Sequence, residues 1–348
     1  MAVPSPRSLP FFVLVLLHTA TTLAVLVPSP ALRLAYHRGP ILSGPESIKL
    51  LVTFYGDFEL SERNILQIFL ASLNPSVVQT HHRRSLRAPL NSAITAGSVA
   101  SWWSLTQHYS DLQGLHVSQR LDMVKTVDDS YSLGRRLSAS DMEFLAKRSL
   151  DREMPNALAV IFTAADVSVD GFCMHACGGH SFAAPADGSL IRETVDDADP
   201  ERVHGNGVHG TGQVMVPYVW VGNPKLQCPG YCAWPFARPQ YGPDMAPLKA
   251  PNGVGVDGMI ISLAKLLVSA ATNPLGDAYY QGEDSSYKPE IGEICGAKFG
   301  AGAYPGYPGE LLQDSRSGAS YNMEGSNGVQ FLVPWIWNAE SKACEGQA

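Results

Sequence analysis

Residues 48–56, Ile-Lys-Leu-Leu-Val-Thr-Phe-Tyr-Gly, decide the fold. Ile48 to Phe54 is apolar with β-branched residues, and Gly56 ends it, which is the pattern of a strand. A few residues on, Ser61 to Leu73 carries Ile65, Ile68, Phe69 and Leu73 at helical spacing, and Asn74-Pro75 stops that amphipathic helix. Ser98 to Tyr109 reads as a second helix, containing Trp102 and Trp103. Leu115 to Val127 reads as extended. Ser140 and Glu143 form a capping box for a third helix ending near Leu150. Ala157 to Thr163 is a strand of the buried type. Strands alternating with helices make an α/β layer. The expected fold is one globular domain of α/β (α+β) class, with its α/β part in about residues 45–165.

From Gly171 the texture changes. About residues 166–348 are rich in Gly, Pro and Cys, and are expected to be loop-rich and disulfide-bonded. Val216 to Val221 is a strand. Asp257 to Ala271 is a helix that Asp257 caps and Pro274 ends. Apolar residues cover nearly all its sides, so it is buried. Gly300 to Gly309 and Gly318 to Gly328 are loops.

The N-terminus bears on the compartment. Arg7 supplies positive charge, Phe11 to Leu17 a short apolar core, and Thr22-Leu23-Ala24 a cleavage-type site. Residues 1–24 are therefore read as a signal peptide, leaving residues 25–348 as an exported domain. No stretch of the mature part is long enough to span a bilayer; Met259 to Ala271 has the length of a core helix. With 45% hydrophobic and 16% charged residues the chain builds a core rather than staying disordered. Its formal net charge of −7 gains nothing from counterion release, so nucleic acid is not an expected partner. The basic run His81-His82-Arg83-Arg84 reads as a solvated loop.

The chain has six cysteines, Cys173, Cys177, Cys228, Cys232, Cys295 and Cys344, an even number in an exported chain and hence disulfide candidates. Spacing favours local pairs. Cys173 and Cys177 enclose three residues, Cys228 and Cys232 enclose the turn sequence Pro-Gly-Tyr, and Cys295 with Cys344 pins the C-terminus. A metal cluster of Cys173, His175, Cys177 and His180 is the alternative, but its spacing is not that of a zinc finger and export favours oxidised sulfur. No metal and no cofactor is expected.

Catalytic motifs are scarce. Gly205 to Gly210 matches G-x-G-x-x-G without the preceding strand and following helix that a dinucleotide site needs. There is no P-loop, no G-x-S-x-G elbow and no H-E-x-x-H. Asp166, Asp170 and Asp257 are available acids whose spacing does not separate catalysis from capping and turns. Trp234, Tyr241, Tyr304 and Tyr307 are candidate ligand contacts in aromatic, glycine-rich segments, where a ring face stacks on a sugar or peptide; packing against the loops is their ordinary role.

Several long motifs carry a resemblance. They are Tyr36-His37-Arg38-Gly39-Pro40-Ile41-Leu42, Phe54-Tyr55-Gly56-Asp57-Phe58, Ser101-Trp102-Trp103 and Gly171-Phe172-Cys173 with Cys177-Gly178. Further along come Trp220 to Asn223, Gln227 to Phe236, Pro251 to Pro274, Tyr279 to Gly282 and Gly302 to Tyr307. In these the chain resembles the EXORDIUM or phosphate-induced protein family of plants, over nearly its whole mature length. The resemblance implies a secreted, apoplastic or cell-wall protein linked to cell expansion and to brassinosteroid or carbon-status responses. It implies no reaction. His81 to Arg84 and the Glu193 to Gly212 loop depart from the family pattern.

A second resemblance is to the active-site helix of certain zinc metallopeptidases, where H-E-x-x-H or a variant runs into a Thr-Asp-Pro-like segment. Met259 to Pro274 looks like it, with Lys265, Leu266 and Ser269 at the corresponding positions. That implies a zincin-like fold with a degenerate helix, since Lys265 is a poor zinc ligand and Leu266 cannot act as a base. The expected function is a non-catalytic extracellular binder of a wall polysaccharide or of an apoplastic or receptor-like protein. The rival is an extracellular hydrolase acting on wall glycans or peptides.

Overall fold

A five-stranded sheet organises the molecule, and its strands form where apolar and β-branched residues cluster. They are β1 (Ile48–Tyr55), β2 (Leu121–Asp129), β3 (Ala157–Thr163), β4 (Gly178–Ala183) and β5 (Val216–Gly222). Their order across the sheet is β2-β1-β3-β5-β4. Neighbours are parallel except β4, which runs antiparallel to β5 along one edge. The computed structural model describes residues 34–75, 96–150, 154–184, 209–210, 213–238, 246–282 and 288–346, all within the unit Arg33–Ala348. The signal-peptide residues, the basic run at 81–84, most of the 193–212 loop and Tyr241 lie outside them.

The main helices are α1 (Leu60–Ser72), α2 (Val99–Ser104), α3 (Ala139–Ser149), α4 (Pro229–Cys232), α5 (Val254–Thr272) and α6 (Ile291–Ile294). Helices α1 and α5 pack together, α5 lies against β4 and β5, and α3 lies across the sheet. Strand residues alternate between the two faces. In β5, Tyr218 feels the charge of Glu143 on α3, whereas Val221 pairs with Gly178, the glycine that touches Leu266 of α5. Covering on both faces explains why β1 and β3 read as continuous apolar runs. The sheet draws β1, β2 and β3 from the first part of the sequence, β4 and β5 from the second.

The tryptophan pair ties the C-terminal loops to this layer. Trp102 Nε1 donates to the Pro334 carbonyl at 2.8 Å and Trp103 Nε1 to the Ser118 carbonyl at 3.3 Å. Tyr109 donates to the Trp337 carbonyl at 2.6 Å. All three rings are buried, and such rings usually find a partner for their polar atom. Helix α5, although 19 residues long and apolar, is a core helix with most of its surface inside the fold.

Three expectations are corrected. The capping box of α3 is Ser138 with Asp141, not Ser140 with Glu143. Ser138 N–H donates to Asp141 at 2.7 Å and Asp141 N–H donates back to Ser138 Oγ at 3.3 Å. The two pairs share one spacing, so the pattern does not fix the phase. Helix α5 starts at Val254 behind Gly253, whose φ of 115° favours glycine. Asp257 is therefore inside the first turn, and reaches back to accept Asn252 N–H at 2.7 Å and Nδ2–H at 2.8 Å.

The third correction is the disulfide pairing. Cys173 bonds Cys228 and Cys177 bonds Cys232, with Cα–Cα distances of 5.6 and 5.4 Å; Cys295–Cys344 is as expected. The reason is local geometry. Cys228 precedes α4 and Cys232 ends it, and Cys232 N–H donates to the Cys228 carbonyl at 3.0 Å, which holds the two cysteines one turn apart. Met174, His175 and Ala176 all donate to the Gly171 carbonyl at 3.2 Å, a tight turn that presents Cys173 and Cys177 together. Two parallel bridges join the turn to the helix, and no cysteine remains free. That also removes the thiolates from any metal reading of Cys173 to His180.

Candidate functional site

Helix α5 is sealed along its length except at one place. Every residue from Gly255 to Pro274 is buried apart from Lys265 and Leu266, which are half-buried. Two glycines let neighbours close in on either side. A Cβ on Gly178 of β4 would run into the Trp220 carbonyl and Leu266, and one on Gly292 of α6 into the Lys265 carbonyl. Gly292→Ala is expected to push α6 away from α5 and cost about 1–3 kcal/mol, measured as a lower urea midpoint.

Polar groups from three elements meet at this opening. His180 of β4 holds Glu290, the residue before α6, through Nε2 at 2.7 Å. Asn273, at the end of α5, donates Nδ2–H to the other oxygen of Glu290 at 2.6 Å and accepts Ala278 N–H at 2.7 Å. His180 Nδ1 is buried without a partner among the described residues. The surrounding protein raises the Glu293 carboxyl above the usual range, Glu290 adds to this, and His180 and Lys265 oppose it. Burial pulls the Lys265 ammonium below its ordinary value, opposed by Glu293. Glu293 is not within ion-pair distance, and Lys265 has no hydrogen-bond or ion-pair partner among the described residues.

This arrangement does not suit zinc. Lys265 presents a cation, Leu266 has no donor atom, and Ser269 is buried in the core. Among the described residues no group of three His, Cys, Asp or Glu is placed to hold a metal ion.

The candidate aromatic residues lie on the other loops of the C-terminal half. Tyr304 and Tyr307 exchange backbone hydrogen bonds at 3.1 and 2.8 Å across Pro305-Gly306, with Gly306 at φ 91°. Their rings are 5.2 Å apart, and Tyr304 is 64% exposed, so this hairpin presents aromatic surface to solvent. Its base is braced: Phe299 N–H and Gly300 N–H both donate to the Pro308 carbonyl, at 2.9 and 3.1 Å, and Trp234 packs on Phe299 at 6.1 Å. Trp234 is thus a supporting residue of the cluster around Phe236, Ile261, Phe299 and Leu332.

His180, Asn273, Glu290 and Glu293 were not legible as a group. They come from three separate stretches, at 180, 273 and 290–293, and carry no spacing motif; only the fold brings them together.

Two of the motifs that carried the resemblance also meet. Leu34–Tyr36 pairs antiparallel with Tyr279–Gln281. Tyr36 stacks on Tyr279 at 4.5 Å and His37 on Tyr280 at 3.5 Å.

Comparison with known proteins agrees with these motifs. The family model described as the phosphate-induced protein 1 conserved region matches residues 34–347. Protein PHOSPHATE-INDUCED 1 of Nicotiana tabacum is 39% identical over 92% of this chain and 91% of its own. Protein EXORDIUM of Arabidopsis thaliana is 38% identical over 94% of this chain and 93% of its own. Protein EXORDIUM-like 1 of Arabidopsis thaliana is 38% identical over 89% and 88%. No solved structure matches the chain. A match spanning nearly all the described fold, with several full-length relatives, means that the chain belongs to the phosphate-induced protein 1 family, the family of EXORDIUM and the EXORDIUM-like proteins.

Proposed function

We propose that the chain is a secreted apoplastic protein that binds a wall polysaccharide without transforming it, and so modulates cell expansion. The signal-type N-terminus and three disulfides support export, and the growth role is what the family resemblance implies. The observation that carries the glycan reading is the hairpin of Tyr304 and Tyr307. A braced, solvent-facing ring pair loses little freedom when a sugar face stacks on it. The mixed sheet with α5 beneath it suits a zincin-like scaffold, on which Lys265, Leu266 and Ser269 leave the helix unable to serve a metal.

The test is retention on fractionated wall polysaccharides. The native protein is expected to be held by at least one fraction. Tyr304→Ala with Tyr307→Ala is expected to weaken that retention about five- to thirtyfold, at roughly 1–2 kcal/mol for losing two stacking rings. Equal retention of both proteins would remove the hairpin from the site, and no retention on any fraction would remove the polysaccharide.

The hydrolase reading has one specific support, the cluster of His180, Glu290, Glu293 and Lys265, since shifted ionisable groups gather at active sites. Glycan or peptide turnover lost in Glu293→Gln would favour it.

A further inference from the structure

Strand β4 ends the sheet, and among the described residues nothing pairs with its outer edge. Edge strands are normally guarded by Lys, Pro or a bulge, because their free N–H and C=O groups template further pairing. Gly178-Gly179-His180-Ser181-Phe182-Ala183 has no such guard, and its residues up to Phe182 are half-buried or exposed. Alternate residues of β4 face α5. Gly178 touches Leu266 there, and His180, two residues on, reaches Glu290 beside α6. An added strand would follow the same alternation, so every second side chain would enter the opening over Lys265 and Leu266.

The opening has an electrostatic vacancy. Lys265 is half-buried on a helix otherwise sealed, and its ammonium makes no hydrogen bond or ion pair among the described residues, with Glu293 acting on it only at longer range. A desolvated cation without a hydrogen bond is costly, and an arriving carboxylate supplies a charge-assisted one. Glu293 and Glu290 face the same region, but Glu290 is already committed to His180 and Asn273.

We propose that the outer edge of β4 takes up an extended peptide as an additional strand, and that Lys265 selects a peptide with an acidic side chain at the position facing α5. The repeat of backbone donors and acceptors along β4 matches a peptide backbone and not a sugar chain, which favours a protein partner at this place. This site is separate from the tyrosine hairpin and stands or falls without it.

The test uses the full secreted protein and short acetylated, amidated peptides of alternating Val and Thr whose central residue is Glu, Gln or Lys. Binding is read by fluorescence anisotropy. The Glu peptide is expected to bind at least about tenfold more tightly than the Gln peptide, with the Lys peptide weakest. Methylating alternate backbone nitrogens of the Glu peptide is expected to abolish binding, because it removes the donors that a new strand uses. Lys265→Met is expected to erase the Glu–Gln difference and to leave the Gln peptide unaffected, while Lys265→Arg preserves the difference. Lys265→Met also melts no lower than the native protein, since it replaces an unpaired half-buried cation with an apolar chain of similar length. Equal binding of the Glu and Gln peptides would overturn the proposal. So would undiminished binding after methylation, or Lys265-dependent capture of an oligouronate with no binding of any peptide.

Discussion

Removing both bridges between the 171–177 turn and α4 is expected to lower stability by about 7 kcal/mol, and removing either one alone by about 3 kcal/mol. The asymmetry follows from loop closure. The first bridge to form closes a loop with a sequence separation of 55, for either pair, which the chain-entropy relation values at about 4 kcal/mol. The second then closes only the small ring made by residues 173–177 and 228–232, worth about 3 kcal/mol. Whichever bridge is deleted, the survivor still closes the long loop, so a single deletion loses only the smaller increment. Losing both approaches the whole stability of an ordinary domain, and the four-fold variant is expected to be only marginally folded, with its urea midpoint close to zero. The measurement is the urea midpoint of Cys173→Ala/Cys228→Ala, of Cys177→Ala/Cys232→Ala and of the four-fold variant. Two single-bridge variants that each lose as much as the four-fold one would contradict the nested-loop picture.

Stability is also expected to fall as pH rises from about 4 to about 7, through Asp257. Burial pushes this carboxyl up to about 7, against the hydrogen bonds from Asn252 and the backbone of Gly253 that favour its charge. Its folded value is thus raised above the unfolded one. Between the two, the unfolded chain has released the proton while the folded protein still holds it. Each pH unit across that window removes about 1.4 kcal/mol, roughly 4 kcal/mol in all, and nothing further is lost above it. Glu293, also raised, acts in the same sense. Asp314 acts oppositely: backbone and side-chain hydrogen bonds from Ser317 lower it to about 2, so its contribution is present above about pH 4 and lost as pH falls toward about 2. The thermal midpoint is therefore expected to be highest in mild acid and lower at neutrality. Asp257→Asn is expected to flatten the curve between about pH 4 and about pH 7. A native midpoint that climbs steadily to neutral pH would show that the Asn252 hydrogen bonds outweigh burial.

The parts of the fold legible in sequence are those where local pattern and tertiary environment agree. Ala157–Thr163 forms the strand its apolar run specifies, and Ile48–Tyr55 extends its reading by one residue. Helix α5 was legible because residues apolar on all sides have no solvent face to offer. Long-range geometry was not legible. The bridges Cys173–Cys228 and Cys177–Cys232 depend on where a turn after β3 lies relative to α4, and sequence spacing carries no record of that. For the same reason Lys265 could be read as a poor metal ligand, but not as the unpaired cation beside an open strand edge. Tyr304 and Tyr307 were legible as aromatic residues in a glycine-rich loop; their pairing across Pro305-Gly306 came only with the fold.

Binding without turnover is the central claim, and mass spectrometry of a wall oligosaccharide tests it most directly. The ligand is drawn from the retained polysaccharide fraction and held in large molar excess over the native protein until equilibrium, then separated from it. The expected spectrum contains only the intact ligand. Shortened fragments that correspond to more than one cleavage per protein molecule, and vanish with Glu293→Gln, would contradict the claim and establish a hydrolase.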